Sequence, residues 1–488
     1  MGEARGMLPG LTFNRAVKVE CRPERLSSEG GALVVREVLE KTGVARKLAK
    51  ELVDSRAADK ITHPLGELCL TAVTLLAQGW RDQDDVDPLR DDAVMRLAVS
   101  QRSGVAPLAK RVQEGDRPPS KNPAVPDGLA SQPTLSRLTR MLSEGCNLGA
   151  LRRAVLSLGT AAVQLQPDLR HRRIMLDIDS LPIEVHGHQD GAEWNGHYHA
   201  RIFHPLIAAI GETGELLDLQ LREGNAHTAE GGLDFITCLL DDVEAKLGQV
   251  AAVRIDAGFP EEKLLGALET RQTAYVARVR NNKALDHLAG PYLCRPPGRP
   301  PNEPRTWFHE LTYRAGTWSR ERRVVLVVQE KPGELLLHHF WLITNWTAEQ
   351  LPAEALLDLY RQRGTAEGHF GEFMNVLAPA LSSSARPKTH YQQQRPEKRY
   401  PAGDSFAINE ARLLLNALAY ATMHVARRLL ANATHQGWSL RRIRERVLRV
   451  AARVVVHARR ATVIVDAAAA HLWQMLWARL ARWRPAPD

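Results

Sequence analysis

The residues of this sequence with most capacity for chemistry are carboxylates in three separate stretches. Asp177 and Asp179 alternate along one strand-like run, so both side chains would point to the same face of a sheet. Asp256 ends a second buried run, and Glu367 falls in a helical pattern further along the chain. Carboxylates that converge at the carboxyl ends of strands would hold two hard divalent cations. Mg²⁺ is the divalent cation that suits an open acidic site. Two such cations can activate an attacking oxygen and stabilise a leaving one during in-line displacement at phosphorus.

The helical pattern that carries Glu367 also aligns a tyrosine and an arginine with it. In residues 351–375, Pro352 stands where a first helical turn tolerates proline, and apolar residues recur at helical spacing. Tyr360, Arg363 and Glu367 lie at i, i+3 and i+7 and would share one face of a single helix. An arginine fork beside a carboxylate suits phosphate and metal binding. A surface salt-bridge ladder is the alternative for the helix, and turn caps are the alternative for the strand-end aspartates, so spacing alone leaves both interpretations open.

The elements that must position these residues follow an α/β pattern in residues 170–280, which predicts a mixed sheet with helices packed on it. The predicted elements are, in order, a strand at 172–187, a hairpin at 200–224, a helix at 231–247, a strand at 250–259, a helix at 261–270 and a strand at 273–280. Residues 281–350 contain a Pro-rich patch and further strand-like runs, which we interpret as a β-rich insertion. The core then resumes with the helical segment 351–381.

Helical regions are predicted on both sides of this core. Residues 1–150 favour helices with short loops, including a buried helix at 66–80. The stretch that begins SQPTLSR at 131–137 favours a short helix, which fits a helix-turn-helix reader of DNA and a plain amphipathic helix about equally well.

The C-terminal region, residues 405–488, is also predicted to be helical. Its segment 441–460 holds eight arginines against one glutamate, and we predict a helix whose basic face includes Arg442 and Arg446. Such a face suits a phosphate backbone, although a solvated amphipathic helix explains the same pattern. Residues 467–483 are rich in Trp and Ala and suit either packing or a partner helix.

Composition narrows the class of protein. The chain has 488 residues, a formal net charge of +9 and a pI of about 9.4, which favours a polyanionic partner. The five cysteines are scattered without a CxxC pair, and we find no signal peptide or long apolar run, so we expect a cytosolic protein without a membrane segment. Histidines 186, 188, 197, 199 and 204 lack cysteine partners and a helical HExxH motif, which argues against a zinc site.

Three motifs together resemble those of a known family. Tyr360–Glu367 (YRQRGTAE) matches the Y-x-x-R-x-x-x-E motif that carries the third acid of cut-and-paste DDE transposases of bacterial insertion sequences. IMLDIDS, ending at Ser180, resembles the strand of the first acid, and VRIDAGF, ending at Phe259, resembles that of the second. Similarity also extends to segments 131–137, 224–236 and 406–420. The resemblance therefore spans nearly the whole chain.

The resemblance implies a fold and a set of roles. The fold would be an RNase H-like core with the β-rich insertion between the second Asp and the Glu, and residues 1–150 would bind DNA. The metal-binding catalytic residues would be Asp179, Asp256 and Glu367, with Mg²⁺ as the cofactor and Mn²⁺ as a substitute. We prefer Asp179 to Asp177 as the first acid, and Asp177 remains either a supporting group or the true ligand. Tyr360 and Arg363 would contact DNA.

Two further positions bear on the resemblance. Relatives often carry a lysine seven residues after the Glu, whereas this chain has Met374 there, which puts one phosphate contact in doubt. Trp341 stands where related enzymes place an aromatic ring against a flipped base, with a buried strand tryptophan as the even alternative.

The implied activity is metal-dependent DNA cleavage and strand transfer. The expected partners are double-stranded DNA with terminal inverted repeats, target DNA and a second copy of the chain in a synaptic homodimer, and the expected location is the nucleoid. Two alternatives stay open. One is a nuclease of the same fold that only hydrolyses DNA, and the other is a catalytically dead DNA-binding relative.

Overall fold

The structure is a computed structural model, and it describes residues 12–14, 16–17, 24–109, 128–165, 174–185, 189–299, 301–382, 405–434 and 437–485. No helix in these ranges is both long enough and apolar enough to cross a bilayer.

The N-terminal region is helical, as predicted. Its elements are β1 (Leu26–Ser27), α1 (Ala32–Lys41), α2 (Val44–Glu51), α3 (Leu65–Gln78), α4 (Ala93–Val99), α5 (Gln132–Leu142) and α6 (Asn147–Val163). Helix α3 confirms the buried helix predicted at 66–80, because its sequence is apolar on nearly every side and its residues are almost all buried. Gly79 ends α3 at a φ of 96°, a left-handed conformation that a side chain would disfavour.

An eight-stranded mixed sheet forms the centre of the molecule. Its region of the chain contains β2 (Ile174–Ser180), β3 (Ile183–Glu184), β4 (Glu193–Asn195), β5 (Ala200–Phe203), β6 (Leu206–Ile210), β7 (Leu216–Gln220), α7 (Gly232–Leu247), β8 (Val250–Ile255), α8 (Glu262–Thr270), β9 (Ala274–Val279), α9 (Lys283–Ala289), β10 (Arg305–Tyr313), β11 (Arg322–Glu330) and β12 (His338–Thr344). The strand order is β10-β11-β12-β9-β8-β2-β6-β7, and β3, β5 and β4 make a separate three-stranded sheet. The α/β pattern predicted for residues 170–280 is therefore confirmed.

Connections along the sheet follow from local sequence. Strands β6 and β7 pair antiparallel across the Gly-Glu-Thr-Gly turn at 211–214, within the hairpin predicted at 200–224. Strand β8 is parallel to both β2 and β9, and α7 and α8 provide the crossovers that parallel neighbours require. Strands β8 and β6 are apolar and buried along nearly their whole length, as expected for strands covered on both faces.

The predicted β-rich insertion at 281–350 does form strands, but they do not make a layer of their own. Strand β12 pairs antiparallel with β9, and β11 and β10 follow it outwards. The insertion therefore widens the core sheet, because β9 would otherwise expose an unpaired edge of backbone groups.

The two faces of the sheet bury different sets of side chains. Ile174, Leu176 and Ile178 of β2 face a core that includes α7 and α8. Their neighbours at odd positions, among them Asp177 and Asp179, alternate to the opposite face. On that opposite face, β9, β11 and β12 pack against Leu356 and Leu357 of the next helix.

The remaining elements complete the molecule. They are α10 (Ala353–Arg361), α11 (Arg363–Leu377), α12 (Ser405–Leu430), α13 (Leu440–Ile443) with a π-helical turn at Arg444–Leu448, β13 (Ala452–His457), β14 (Arg460–Val465) and α14 (Ala470–Arg482). Helices α3, α6, α12 and α14 contribute to one hydrophobic core, so the N-terminal and C-terminal regions pack on each other.

The helix predicted at 441–460 is wrong. Only its first residues are helical, and the rest forms the β13–β14 hairpin, whose strand β13 also pairs with β1. Three consecutive valines favour an extended chain, and Ala458 and Arg459 both adopt positive φ (48° and 62°) at the turn, as a two-residue hairpin loop requires. The number of arginines in this segment does not distinguish a helix from a hairpin.

Candidate functional site

The candidate site lies where two parallel neighbouring strands end. Asp179 is near the end of β2, and Asp256 directly follows β8. Ile178 of β2 is in register with Ile255 of β8, so the two aspartates come at the same edge of the sheet. The sequence interpretation of strand-end carboxylates at one edge therefore agrees with the backbone arrangement.

Arg363 connects the first strand to the helix that carries Glu367. Its Nη2 donates to Asp179 Oδ2 at 2.6 Å, and its Nη1 donates to Glu367 Oε1 at 2.5 Å. The Asp179 and Arg363 side chains are mostly buried, at 15% and 13% exposed, whereas the Glu367 side chain is 55% exposed. One guanidinium thus holds two of the three predicted acids, which lie 188 positions apart in the chain (367 − 179).

The single helix predicted for 351–375 is wrong, because α10 ends at Arg361 and α11 begins at Arg363. Gln362 joins them at φ −61° and ψ −16°, still in the right-handed helical region, so the interruption is confined to this one residue. Tyr360 therefore belongs to α10, where its half-buried ring packs against the core below β9, β11 and β12. Arg363 and Glu367 remain one turn apart on α11 and face each other.

The pKa of Asp179 in this site depends on its burial and on two neighbouring carboxylates, Asp256 and Glu367, which all act in the same direction. Burial raises the pKa of Asp179, Arg363 and the Ser180 amide lower it, and the nearby Asp256 and Glu367 raise it again, to about 6. The Ser180 N–H donates to Asp179 Oδ1 at 2.9 Å, so both oxygens of this carboxylate accept hydrogen bonds. A buried carboxylate with two acidic neighbours is a group that a bound cation would stabilise.

Asp177 has a different environment from Asp179. Arg254 binds both of its oxygens, through Nε to Oδ1 at 2.5 Å and through Nη2 to Oδ2 at 2.6 Å, and both side chains are almost fully buried. Arg254 also donates to the Leu359 carbonyl at 3.0 Å and the Gly211 carbonyl at 3.3 Å. This ion pair therefore ties β2 and β8 to the end of α10 and to the β6–β7 turn.

Sequence reasoning missed two residues of this site. Arg254 carried a usable signal, because it is the one charged residue in the buried run VAAVRI. Tyr198 carried a weaker signal, since it stands between His197 and His199 in a loop. Burial and the charges of Asp179 and Asp256 raise the pKa of Tyr198, and the residue as a whole remains 38% exposed.

Trp341 lies on the opposite face of the sheet from the acids. It is fully buried in β12 and packs in the core that includes α7 and α8, whereas Asp177 and Asp179 point to the other face of the sheet. The ring is not accessible in this structure, which agrees with the buried strand tryptophan, and the stacking of a base on Trp341 stays a prediction. Met374, at the position of the family lysine, packs against the core shared by the N- and C-terminal regions.

The C-terminal arginines have unequal surroundings. Arg442 and Arg446 are exposed, and the Arg442 guanidinium lies 4.6 Å from the centre of the Trp438 ring. Arg444 instead donates to the carbonyls of Ala77, Val376 and Leu76, so it holds α3 to the end of α11. Arg442 and Arg446 therefore keep their cationic groups available at the surface, whereas Arg444 is structural.

Within the described ranges, no three His, Cys, Asp or Glu side chains come close enough together to hold a metal ion. Of the five histidines considered for zinc, those at 186 and 188 lie outside the described residues. At the acidic site the donors are nevertheless of the right kind, because carboxylate oxygens are the ligands that Mg²⁺ and Mn²⁺ prefer. The Arg363 guanidinium lies between Asp179 and Glu367 and forms an ion pair with each, so these two carboxylates already share one cationic group.

A family model described as transposase DDE domain group 1 matches residues 10–485. No curated protein matches the chain significantly. Among solved structures, the chain is similar to the cryo-EM structure of the piggyBac transposase synaptic complex with hairpin DNA, with 12% sequence identity, coverage of 94% of this chain and 81% of that one, and a TM-score of 0.37.

Proposed function

The chain belongs to the transposase DDE domain group 1 family, and we propose that it is a transposase that binds the ends of its own insertion sequence, cleaves the DNA there and joins it to target DNA. Within the family we assign it to the bacterial cut-and-paste group with the Y-x-x-R-x-x-x-E motif. The observation that carries the proposal is the Arg363 fork, which gathers Asp179 and Glu367 at the sheet edge where Asp256 also lies.

An RNase H-like core is part of the proposal. Its support is the spatial order β7-β6-β2-β8-β9. The antiparallel hairpin β6–β7 lies on one side of the central strand β2, and β8 and β9, which run parallel to β2, lie on the other side. The acids would then come from the central strand β2, from its parallel neighbour β8 and from the helix α11 that follows the widened sheet.

Asp179, Asp256 and Glu367 would hold Mg²⁺, with Mn²⁺ as a substitute. Cations bound there would supply activation of an attacking oxygen and stabilisation of the leaving one. Arg363 would bind a phosphate at the reacting end with its two-pronged guanidinium. The Asp177–Arg254 pair would act as a support, because it sets the position of β2 against α10.

Other parts of the proposal concern partners. Exposed Arg442 and Arg446 would contact the DNA backbone, Tyr360 would line the approach to the site, and residues 1–150 would read the terminal inverted repeats. Two copies of the chain would pair two DNA ends in a synaptic complex. The net charge of +9 supports a polyanionic partner such as DNA.

The test begins with the DNA that flanks the reading frame, because short inverted repeats there would provide the substrate. We expect the purified protein to cleave these ends with Mg²⁺ and to join them to a target plasmid. We expect Asp179→Ala, Asp256→Ala and Glu367→Ala each to abolish cleavage while end binding survives, since affinity comes mainly from basic residues.

The same experiment separates the alternatives. Cleavage without joined products would identify a nuclease that only hydrolyses DNA, and end binding without any cleavage would identify a catalytically dead relative. Normal cleavage by any one of the three variants would remove that residue from the site.

A further inference from the structure

Arg363 engages the acids in a way that would conflict with a bound metal. Its two terminal nitrogens donate to Asp179 Oδ2 and Glu367 Oε1, at 2.6 Å and 2.5 Å. The other Asp179 oxygen already accepts the Ser180 N–H. A divalent cation binds carboxylate oxygens at about 2.0–2.2 Å, so it would approach the same oxygens and meet the positive charge of the guanidinium.

Charge balance gives the reason why this pairing forms. Three carboxylates, Asp179, Asp256 and Glu367, share the site, and Arg363 is the cation that pairs with two of them. In the part of the chain that the structure describes, Asp179 and Glu367 have no ion pair except with Arg363, and Asp256 has none. Moving Arg363 away without a replacement cation would leave buried Asp179 unpaired, which is costly.

A second anion for Arg363 removes this obstacle. A phosphodiester accepts two parallel hydrogen bonds from a guanidinium, as a carboxylate does, and Arg363 lies in the first turn of α11 beside the exposed Glu367. When Arg363 turns to a phosphate, the oxygens of Asp179 and Glu367 become available together. Each event therefore favours the other, since both require the same displacement of one side chain.

We propose that Arg363 is an internal substitute cation that blocks metal binding in the DNA-free protein, and that its transfer to a DNA phosphate couples DNA binding to metal binding. This inference rests on the proposed function, because it takes Asp179, Asp256 and Glu367 as the metal ligands. Coupling of this kind is reciprocal: DNA raises the affinity for metal by the same factor by which metal raises the affinity for DNA.

The experiment measures Mn²⁺ binding to the full chain by the loss of the free Mn²⁺ EPR signal, with and without a short mixed-sequence DNA duplex. We expect Arg363→Gln to bind Mn²⁺ at least about 5-fold more tightly than wild type without DNA, in the usual range of coupling between sites. The duplex should tighten Mn²⁺ binding by a similar factor in wild type and much less in this variant. Arg363→Lys cannot span both carboxylates with one fork, so its Mn²⁺ affinity without DNA should lie between those of wild type and Arg363→Gln.

A matched control is Arg361→Gln, which removes an exposed arginine two residues away whose nearest acid, Asp358, is 4.0 Å from it. It should leave Mn²⁺ affinity at the wild-type value with and without DNA. Thermal unfolding of each variant, followed by circular dichroism, shows that the affinities come from folded protein. Equal or weaker Mn²⁺ binding by Arg363→Gln in folded protein would overturn the proposal.

A further variant separates this proposal from the proposed function. Asp256→Ala placed on Arg363→Gln should abolish the gain in Mn²⁺ affinity. If it does not, the metal binds elsewhere and the assignment of the acids fails. If Asp256→Ala abolishes Mn²⁺ binding but Arg363→Gln binds no tighter than wild type, the acids hold the metal and only the role of Arg363 is wrong.

Discussion

At the scale of single residues, Asp179 carries a charge that opposes folding at neutral pH. Burial and its acidic neighbours raise its pKa to about 6, from 3.8 for an ordinary aspartate. The folded state therefore binds this proton more tightly than the unfolded state does, so stability rises as pH falls from about 6 towards 4. This rise in pKa corresponds to a loss of at most about 3 kcal/mol in the free energy of unfolding at neutral pH.

We expect Asp179→Asn to increase the free energy of unfolding at pH 8 by up to about 3 kcal/mol, because asparagine keeps the shape without the buried charge. The gain should shrink as pH approaches 4, where wild-type Asp179 is itself protonated. Urea unfolding of both proteins at pH 8 and pH 5 measures the difference. Asp59→Asn, which changes an exposed carboxylate, should alter stability little at either pH. A variant less stable than wild type at pH 8 would show that the Arg363 ion pair outweighs burial.

Asp177 should behave in the opposite way, although it lies on the same face of β2. Arg254 is fully buried and depends on Asp177 for both of its carboxylate contacts, so Asp177→Ala would leave an uncompensated charge inside the molecule. We expect a loss of about 3–5 kcal/mol of stability. The double variant Asp177→Leu with Arg254→Met should recover much of it, and urea unfolding compares the three proteins. A stable Asp177→Ala protein that cannot cleave DNA would instead identify Asp177 as a metal ligand.

At the scale of elements, the basic C-terminal segment presents its arginines from a short helix and a hairpin. Arg442 and Arg446 remain exposed around the π-helical turn, whereas Arg444 is used inside the structure. The long basic helix face expected from the sequence is absent from this segment, so fewer arginines can follow one DNA groove. Each of the exposed ones can still neutralise a phosphate.

We expect Arg442→Gln with Arg446→Gln to reduce the slope of log affinity against log salt by about 2, since each neutralised phosphate adds roughly 0.9. Binding to related and unrelated DNA should weaken alike, because backbone contacts position a protein and base contacts specify the sequence. Affinity titrations at several salt concentrations measure the slope. Arg314→Gln, an exposed arginine after β10, serves as the control. An unchanged slope in the double variant would mean that these arginines do not contact DNA.

At the scale of the whole molecule, the ends of the chain depend on each other. Helices α3 and α6 bury apolar side chains against α12, and α14 contributes to the same core. Removing the C-terminal region would therefore expose a large apolar surface on the N-terminal helices. The two regions share one hydrophobic core, even though the central sheet lies between them in sequence.

We expect a fragment of residues 1–382 to be insoluble or partly unfolded when produced alone, because it lacks α12 and the elements that follow. Produced together with a fragment of residues 405–488, it should form a soluble complex that purifies as one species, since the shared core can assemble from two chains. Size-exclusion chromatography and thermal unfolding report the outcome. Cooperative unfolding of the isolated 1–382 fragment would show that the C-terminal region adds little to the core.

Local sequence was sufficient for the elements that carry the acids. The apolar run before Asp179, the run before Asp256 and the hairpin between them have strand patterns that a few neighbouring residues determine. Parallel strands joined by a helix then bring their carboxyl ends to one edge, which is why the two aspartates could be placed together without coordinates. The helical patterns at α3, α7 and α8 were equally local.

Tertiary structure decided which side chain each acid meets. Asp177 and Asp179 lie two residues apart on the same face of one strand, so the sequence does not distinguish them. In the structure Arg254 neutralises Asp177, whereas Arg363, from a distant helix, bridges Asp179 to Glu367. Packing also decided that Trp341 is buried on the far side of the sheet and that the valines at 454–456 pair with β14 in a hairpin, whose strand β13 is joined to β1 through Ala452 and Arg453. Periodicity is a property of neighbouring residues, whereas partner choice depends on burial and charge contributed by residues far away in the chain. The sequence by itself therefore determined the strands and the positions of their carboxylates, and only the packed chain determined that Arg254 pairs with Asp177 whereas Arg363 pairs with Asp179 and Glu367.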